Sequence, residues 1–280
     1  VTHVPVPAGV PMRLEDIPRG ELGDHLIASA SCFPVFPVKN IGSERYIDGG
    51  FADNLPVGMA LEDGADEIIA IDIHPQFTHP EYANLPNLTI VHPLNDLGPF
   101  LDFSREVLDR SRRMGYYDTM KVYGRFDGIR YTFSRVNELK IAPLARGYVQ
   151  RLTCLDAKSA VRGGDAFLSA ALCADAPLKK LSWKDAFLRG LELCAQSLGF
   201  REDAIYEIDA LTGRALSFVR GAETGSFADA ARGGSRMLTA QIFGRLQADP
   251  DYAESNLKRL SEHPMETAAA LYLDFIYRKL

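Results

Sequence analysis

The residues best suited by type and spacing to do chemistry are Asp48-Gly49-Gly50, in the segment RYIDGGF. A positioned carboxylate can act as a general acid or base. The two glycines permit a sharp turn with positive φ, and they let a reacting group approach without meeting a Cβ atom. Asp-Gly-Gly is also a common turn sequence, so the surrounding elements must decide between a base and a plain turn.

Two predicted elements hold this turn in place. Tyr46 and Ile47 end a short strand, so Asp48 stands at the carboxyl end of a sheet strand, where α/β folds bind ligands. A helix follows the turn, with Asn54 as its N-cap and Pro56 in its first turn. The strand is expected to fix the carboxylate, and the helix is expected to fix the chain that leaves it.

The flanking segments predict an α/β layer fold. Residues 21–32 form a predicted helix, with Leu22, Leu26 and Ala30 at helical spacing. EIIAIDI, residues 67–73, is almost continuously apolar, which is typical of a strand buried on both faces of a parallel sheet. Residues 87–92 predict a second such strand. Strands that alternate with helices imply an α/β fold with a mostly parallel sheet.

From about residue 136 the pattern becomes helical. The clearest helix covers residues 182–199, where Ser182 and Asp185 form a capping-box pattern. We therefore predict an α/β domain over residues 1–135 and an α-helical C-terminal region over residues 136–280.

Short motifs on both sides of Asp48 occur together. ASASCFPVFP, residues 28–37, precedes the turn, and Asn54-Leu55-Pro56 follows it. In this order they resemble the patatin-like phospholipase family of bacterial type, in which Ala-Ser and Pro-x-Phe precede a catalytic D-G-G and N-x-P follows it. The resemblance is specific over roughly residues 1–75 and looser as far as about residue 135.

The resemblance implies that residues 1–135 are the C-terminal portion of a patatin-like hydrolase domain with a layered α/β fold. It also implies serine acyl hydrolysis of lipid esters, either phospholipids or acylglycerols. The family uses a Ser–Asp dyad, in which the Asp takes the proton of the nucleophile without an intervening His. Position by position, this role falls on Asp48, with Gly49, Gly50 and Asn54 as supporting residues. The resemblance implies neither a metal nor an organic cofactor.

The dyad requires a particular setting for Asp48. A free aspartate is a weak base at neutral pH, so the carboxylate must be partly desolvated to act as one. Phe33, Phe36, Ile47 and Phe51 are expected to supply apolar surroundings. The aromatic and apolar residues around 33–36 and 99–103 are also candidates for the lining of an acyl pocket, although burial in the core is the simpler interpretation.

The nucleophile is expected in G-x-S-x-G, on a tight turn between a strand and a helix. This motif does not occur in the 280 residues, and the nearest match, Gly233 to Met237, lacks the second glycine. Ser235 in that match is predicted to begin a helix. The family's glycine-rich oxyanion loop is also missing from the sequence. We therefore expect the nucleophilic Ser in a segment upstream of Val1 or on a companion chain, with this chain inactive alone.

Two alternatives to the enzyme stay open. The first is a non-catalytic patatin-like scaffold that binds lipid or protein. The second is that residues 140–280 form a dimerisation or docking module that dominates the function.

Composition and charge limit the classes of molecule that this chain is expected to bind. The 31 Lys and Arg residues against 37 Asp and Glu residues give a net charge of −6, which argues against nucleic acid and against purely electrostatic binding to anionic lipid. The sequence contains no apolar run of about 18 residues that could span a membrane. A cytoplasmic protein, with peripheral membrane association as an option, is expected, and homo-oligomerisation stays open.

Other reactive side chains have simpler interpretations. The four cysteines lack CxxC spacing and are predicted to be buried free thiols. His25 and Cys32 lie seven residues apart on one predicted helix, about two turns, which is too far for a hydrogen bond. His74 and His79 follow a strand, but a metal site needs more ligands than these two.

Overall fold

The computed structural model describes residues 1–5, 8–73, 82, 84–174, 181–222 and 225–280. The fold is mixed α/β, and the chain divides into two compact units, residues 1–92 and residues 93–280. The predicted division at residue 135 concerns the extent of the patatin-like part, and it stays a prediction.

Short strands and two helices make up the described part of the first unit. In chain order they are β1 (Thr2–His3), β2 (Ala8–Gly9), α1 (Leu22–Ser29), β3 (Lys39–Ile41), β4 (Glu44–Ile47), α2 (Val57–Glu62), β5 (Ile68–Ile71) and β6 (Leu88–Val91). Two single 3-10 turns, Leu14–Asp16 and Gly49–Phe51, lie between them.

The strand that carries the D-G-G turn lies in an antiparallel sheet, with the order β2-β1-β4-β3. Only Gly42 and Ser43 separate β3 from β4, and Gly42 has a φ of +58°. Strands joined by so short a connection must be antiparallel, because a parallel pair needs a crossover of a dozen residues or more. The prediction of a mostly parallel sheet is therefore wrong for this part of the unit.

Parallel pairing does occur between β5 and β6, in a register that runs from Ile68 with Leu88 to Ile71 with Val91. The side chains of β5 alternate in burial, so the prediction of a strand buried on both faces is wrong. Ile68 and Ala70 pack with Leu55 and Val57 in a small core, whereas Ile69 and Ile71 are exposed. Successive side chains of a strand point to opposite faces, and apolar residues cover only one face here.

Helix α1 forms within the predicted range of residues 21–32 but ends at Ser29. Its buried residues are His25 and Ala28, while Leu22 and Leu26 are exposed. Helical spacing shows which residues share a face, but it does not show which face meets the core.

The described part of the second unit is mostly helical. Its elements are α3 (Arg105–Val122), β7 (Thr132–Phe133), α4 (Glu138–Val161), α5 (Phe167–Cys173), α6 (Trp183–Leu198), β8 (Ile205–Tyr206), α7 (Ile208–Gly221), α8 (Phe227–Arg232), α9 (Ser235–Ala248), α10 (Tyr252–Ser255), α11 (Leu257–Leu260) and α12 (Pro264–Tyr277). The two short strands pair in parallel.

One continuous core holds the second unit together, and α6 and α12 lie at its centre. The capping box predicted for α6 is confirmed: Ser182 accepts from the N–H of Asp185, and Asp185 accepts from the N–H of Ser182. Gly199 ends the helix in the left-handed conformation, with a φ of +73°. Every residue of α12 from Thr267 to Asp274 is buried.

Candidate active site

Asp48 stands at the carboxyl end of β4, directly before the 3-10 turn Gly49–Phe51. Its backbone is held from two sides: its N–H donates to the carbonyl of Ser31 at 3.0 Å, and its carbonyl accepts from the Thr2 hydroxyl at 2.8 Å. Thr2 belongs to β1, which pairs with β4 through Thr2 and Ile47. The antiparallel sheet and the end of α1 therefore fix the backbone from which the carboxylate projects.

The carboxylate of Asp48 caps its own turn. Oδ1 accepts a hydrogen bond of 2.7 Å from the N–H of Gly50. Oδ2 has no hydrogen-bond partner among the residues that the structure describes. One oxygen is thus held in place, while the other can accept a proton from a group brought to it.

The two glycines of the turn provide space rather than an unusual backbone conformation. Neither Gly49 nor Gly50 has a positive φ, so that part of the expectation is wrong. A Cβ atom on Gly50 would lie 3.1 Å from Oδ1 of Asp48, and one on Gly49 would lie 3.2 Å from the backbone nitrogen of Val1. Both distances are shorter than an ordinary van der Waals contact. Glycine is needed at both positions because Gly50 lies against the carboxylate of Asp48 and Gly49 lies against Val1, the residue before β1.

Asn54 does not cap the helix that follows. The N-cap of α2 is Pro56, which makes no side-chain capping bond. The prediction of an Asn54 cap is wrong because the chain makes one more turn first, in which Asp53 accepts from the N–H of Leu55 at 3.0 Å. The Cβ of Asn54 lies 3.5 Å from the position of a Cβ on Gly50, beside the Asp48 turn. A supporting role for Asn54 stays a prediction.

The apolar setting predicted for Asp48 is not formed by the described residues. Phe33, Phe36 and Phe51 expose 51%, 43% and 54% of their surface, and Ile47 is the buried member of the set. The residues at 99–103 do not form a buried pocket lining either, because Phe100, Leu101 and Phe103 are exposed. Sequence alone indicates that a residue is apolar, but its burial depends on what packs against it.

A cleft of about 610 Å³ opens beside the turn, and sequence reasoning missed most of its residues. Gly49 contributes to it, together with residues of the segment 9–17, α1 and α2. Its apolar lining includes Val10, Met12, Ile17, Leu22, Leu26 and Met59, and its polar lining is His25, Ser29, Asp53 and Glu62. The one signal in the sequence was the spacing of Leu22 and Leu26, which marks a shared helix face.

The side chains of Ser235, Ser31 and His25 are each engaged in a hydrogen bond. Ser235 is the first residue of α9, as predicted, and its hydroxyl donates to the carboxylate of Glu266 at the start of α12. The hydroxyl of Ser31 donates to the carbonyl of Ile27, and Nδ1 of His25 bonds to the carbonyl of Glu21 at 2.9 Å.

The four cysteines differ in burial. Cys194 is buried, and burial raises the pKa of its thiol well above the usual value. Cys154 and Cys173 are exposed, so the prediction of buried thiols is wrong for these two. They lie on the outer faces of α4 and α5, whereas α6 places Cys194 in the core.

His74 and His79 lie outside the described residues. Within them no three His, Cys, Asp or Glu side chains form a group that could hold a metal ion. None of the helices in this part of the chain has the length and apolarity needed to cross a bilayer.

Comparison with known families supports the resemblance. Residues 2–61 match the family model described as patatin-like phospholipase. The match includes α1, the Asp48 turn and nearly all of α2, and residues 62–280 lie outside it. The predicted resemblance to patatin-like proteins is confirmed over this stretch, which points to a family of lipid hydrolases. The chain matches no curated protein and no solved structure.

Proposed function

We propose that this chain is part of a serine acyl hydrolase that cleaves lipid esters through a Ser–Asp dyad, with Asp48 as the general base. The nucleophilic Ser is supplied from a segment upstream of Val1 or from a companion chain. It attacks the ester carbonyl, its proton passes to Asp48, and the resulting acyl-enzyme is hydrolysed by water. The proposal rests on the patatin-like match over residues 2–61 and on the geometry of Asp48.

The single observation that carries the proposal is the carboxylate of Asp48 at the end of β4. One of its oxygens is hydrogen-bonded, and the other has no hydrogen-bond partner among the described residues. A general base needs a fixed position, a free lone pair within reach of the proton that it takes, and partial desolvation. Phe33, Phe36 and Phe51 are exposed, so the desolvation has to come from the segment that carries the nucleophile. The bond from Gly50 to Oδ1 supplies the fixed position, and Oδ2 keeps its acceptor capacity among the described residues.

Asp48→Asn in the full-length gene product tests the base. The Asn side-chain oxygen still accepts from Gly50, so the fold is kept, while hydrolysis of a p-nitrophenyl ester should fall by about 10³-fold. Asp24→Asn is the matched control, because Asp24 is an exposed carboxylate on α1 that pairs with Lys39. We expect D24N to keep its activity. Full activity in D48N would remove Asp48 from the reaction.

Fluorophosphonate labelling followed by peptide mapping tests the nucleophile. An adduct on a serine outside residues 1–280 supports the proposal. An adduct on a serine inside them contradicts the upstream nucleophile. A full-length product that takes no label is not a serine hydrolase, and the non-catalytic scaffold then takes its place.

A further inference from the structure

A cavity of about 580 Å³ lies in the second unit, where α6 ends and α7 begins. This volume falls within the range of roughly 300–1,000 Å³ that is typical of small-molecule sites. The loop after α6, strand β8 and the first two turns of α7 form its walls, so all the lining residues lie between positions 199 and 214. The patatin-like match ends at residue 61, and the family resemblance therefore assigns nothing to this cavity.

Two aromatic rings with fixed positions form much of the apolar wall. Phe200 and Tyr206 both line the cavity, and their rings meet at an angle of 79° with the centroids 6.4 Å apart. The hydroxyl of Tyr206 donates to the carbonyl of Arg201 at 2.9 Å. The N–H of Phe200 donates to the carbonyl of Ala195, also at 2.9 Å. Walls that are already held in place suit a rigid, flat ligand, because little conformational freedom is lost when it binds.

Arg214 adds a positive charge to the lining. Its guanidinium carbon lies 4.7 Å from the centroid of the Phe200 ring, which is a cation–π contact. A guanidinium stacked on a ring keeps its N–H donors in its own plane, where they can form two parallel hydrogen bonds to a carboxylate. Arg214 makes no ion pair with any residue that the structure describes.

The other charged residues of the lining are engaged. Nε and Nη2 of Arg201 donate to the two carboxylate oxygens of Asp203 at 2.9 Å and 2.8 Å. The carboxylate of Glu207 accepts a hydrogen bond from the hydroxyl of Ser134. Within the described ranges, Arg214 is thus the one lining cation without a carboxylate. One negative charge matches it, whereas a ligand with two negative charges would also meet Glu207.

We propose that this cavity binds a small aromatic monocarboxylate, with its ring against the wall of Phe200 and Tyr206 and its carboxylate on Arg214. A short, planar acid matches both the fixed apolar wall and the single cation beside it. A flexible alkyl acid would lose more conformational freedom on binding. Binding at this cavity does not depend on Asp48 or on ester hydrolysis.

Binding is tested with the full-length gene product and 4-fluorobenzoate as the probe, followed by fluorine NMR. The test variant is Arg214→Gln, and the matched control is Arg220→Gln. Both arginines are exposed on α7 and stack on an aromatic ring, but Arg220 lies over Tyr277 and does not line the cavity. R214Q should raise the Kd by about tenfold through loss of the charged hydrogen bonds, and R220Q should leave it unchanged. No binding by the unmodified protein, or the same affinity in both variants, would overturn the assignment.

Related probes separate the ring from the charge. The neutral 4-fluorobenzamide keeps the ring, acetate keeps the charge, and octanoate replaces the ring by an alkyl chain. Each should bind about tenfold more weakly than 4-fluorobenzoate, or more weakly still. If the amide binds equally well, Arg214 does not recognise a carboxylate. If acetate competes equally well, the cavity is a general anion site, and if octanoate binds more tightly, the ligand is not aromatic.

A variant that fills the cavity gives a measurement that does not depend on charge. Ala210 lines the cavity from the first turn of α7, and Ser217 is an exposed residue of the same helix that does not line it. Ala210→Phe should abolish binding of 4-fluorobenzoate, and the matched control Ser217→Phe should retain it. Thermal unfolding of both variants checks that the helix still forms. Full binding by a folded A210F protein would place the ligand elsewhere and refute the assignment.

Discussion

The substitution Gly50→Ala should lower the catalytic activity that depends on the Asp48 turn while it leaves the stability of the fold nearly unchanged. The added methyl carbon would lie 3.1 Å from Oδ1 of Asp48 and 3.5 Å from the Cβ of Asn54. The first distance is too short, so the carboxylate has to move by a few tenths of an ångström. The backbone itself accepts alanine, because Gly50 does not have a positive φ.

The expected loss of activity follows from the size of this movement. A misplacement of about 1 Å costs a catalytic group about 10²-fold. A shift of a few tenths of an ångström should therefore lower kcat/KM by about tenfold. Stability should change little, because replacing glycine in a permitted conformation reduces the entropy of the unfolded chain by about 0.4–1 kcal/mol, which offsets the strain of the contact.

The assay compares G50A with Gly23→Ala in the full-length gene product, using ester hydrolysis and thermal unfolding. Gly23 lies in α1, and a Cβ there would meet nothing within 4 Å. G23A should raise stability by about 0.5–1 kcal/mol and leave hydrolysis unchanged. Undiminished hydrolysis in G50A would refute the argument that glycine is needed at position 50 to leave room for the carboxylate of Asp48. A collapse of folding in G50A would show that the contact strains the turn instead of shifting the carboxylate.

Three further predictions concern the second unit. Glu192→Gln should cost about 3 kcal/mol in urea unfolding, because it leaves the buried guanidinium of Arg189, now 2.6 Å from a carboxylate oxygen, without its counter-charge; a neutral result would show that the pair contributes nothing. Arg201 and Arg113 hold the pKa of Asp203 well below its usual value, so its contribution is present at neutral pH and lost on acidification. Asp203→Asn should therefore lower the unfolding temperature at neutral pH, and the difference should shrink below about pH 4; a difference independent of pH contradicts the ion pairs. Ser182→Ala should cost about 1 kcal/mol through loss of the α6 cap, and thermal unfolding without a shift would contradict that role.

Local signals in the sequence predicted local structure well. The start of α6 was predictable because Ser182 and Asp185 satisfy each other's backbone groups within one turn of chain. The end of α6 was predictable because Gly199 adopts the left-handed conformation that glycine favours. The strand before Asp48 was also predicted correctly, and residues 2–61 confirm the family resemblance that the motifs indicated.

Properties that depend on distant partners were not predictable in this way. The outward face of α1, with Leu22 and Leu26, could not be inferred, because spacing is the same whether the face meets a core or a cleft. The alternating burial of β5 depends on the number of layers that cover it. Gly50 leaves room for the carboxylate of Asp48. This role depends on how closely the carboxylate folds back onto the turn, which only coordinates reveal.

The position of α12 in the chain sets the order in which the second unit can fold during synthesis. Tyr148 on α4 donates a hydrogen bond to the carbonyl of Ala268, 120 residues away in sequence, and its ring lies 5.3 Å from that of Tyr272. Contacts between such distant residues slow folding, because the entropy of loop closure is lost before the contact forms. The apolar faces of α4, α6 and α9 therefore stay uncovered until α12 has left the ribosome. In this interval the nascent chain presents surface that chaperones bind and that favours aggregation.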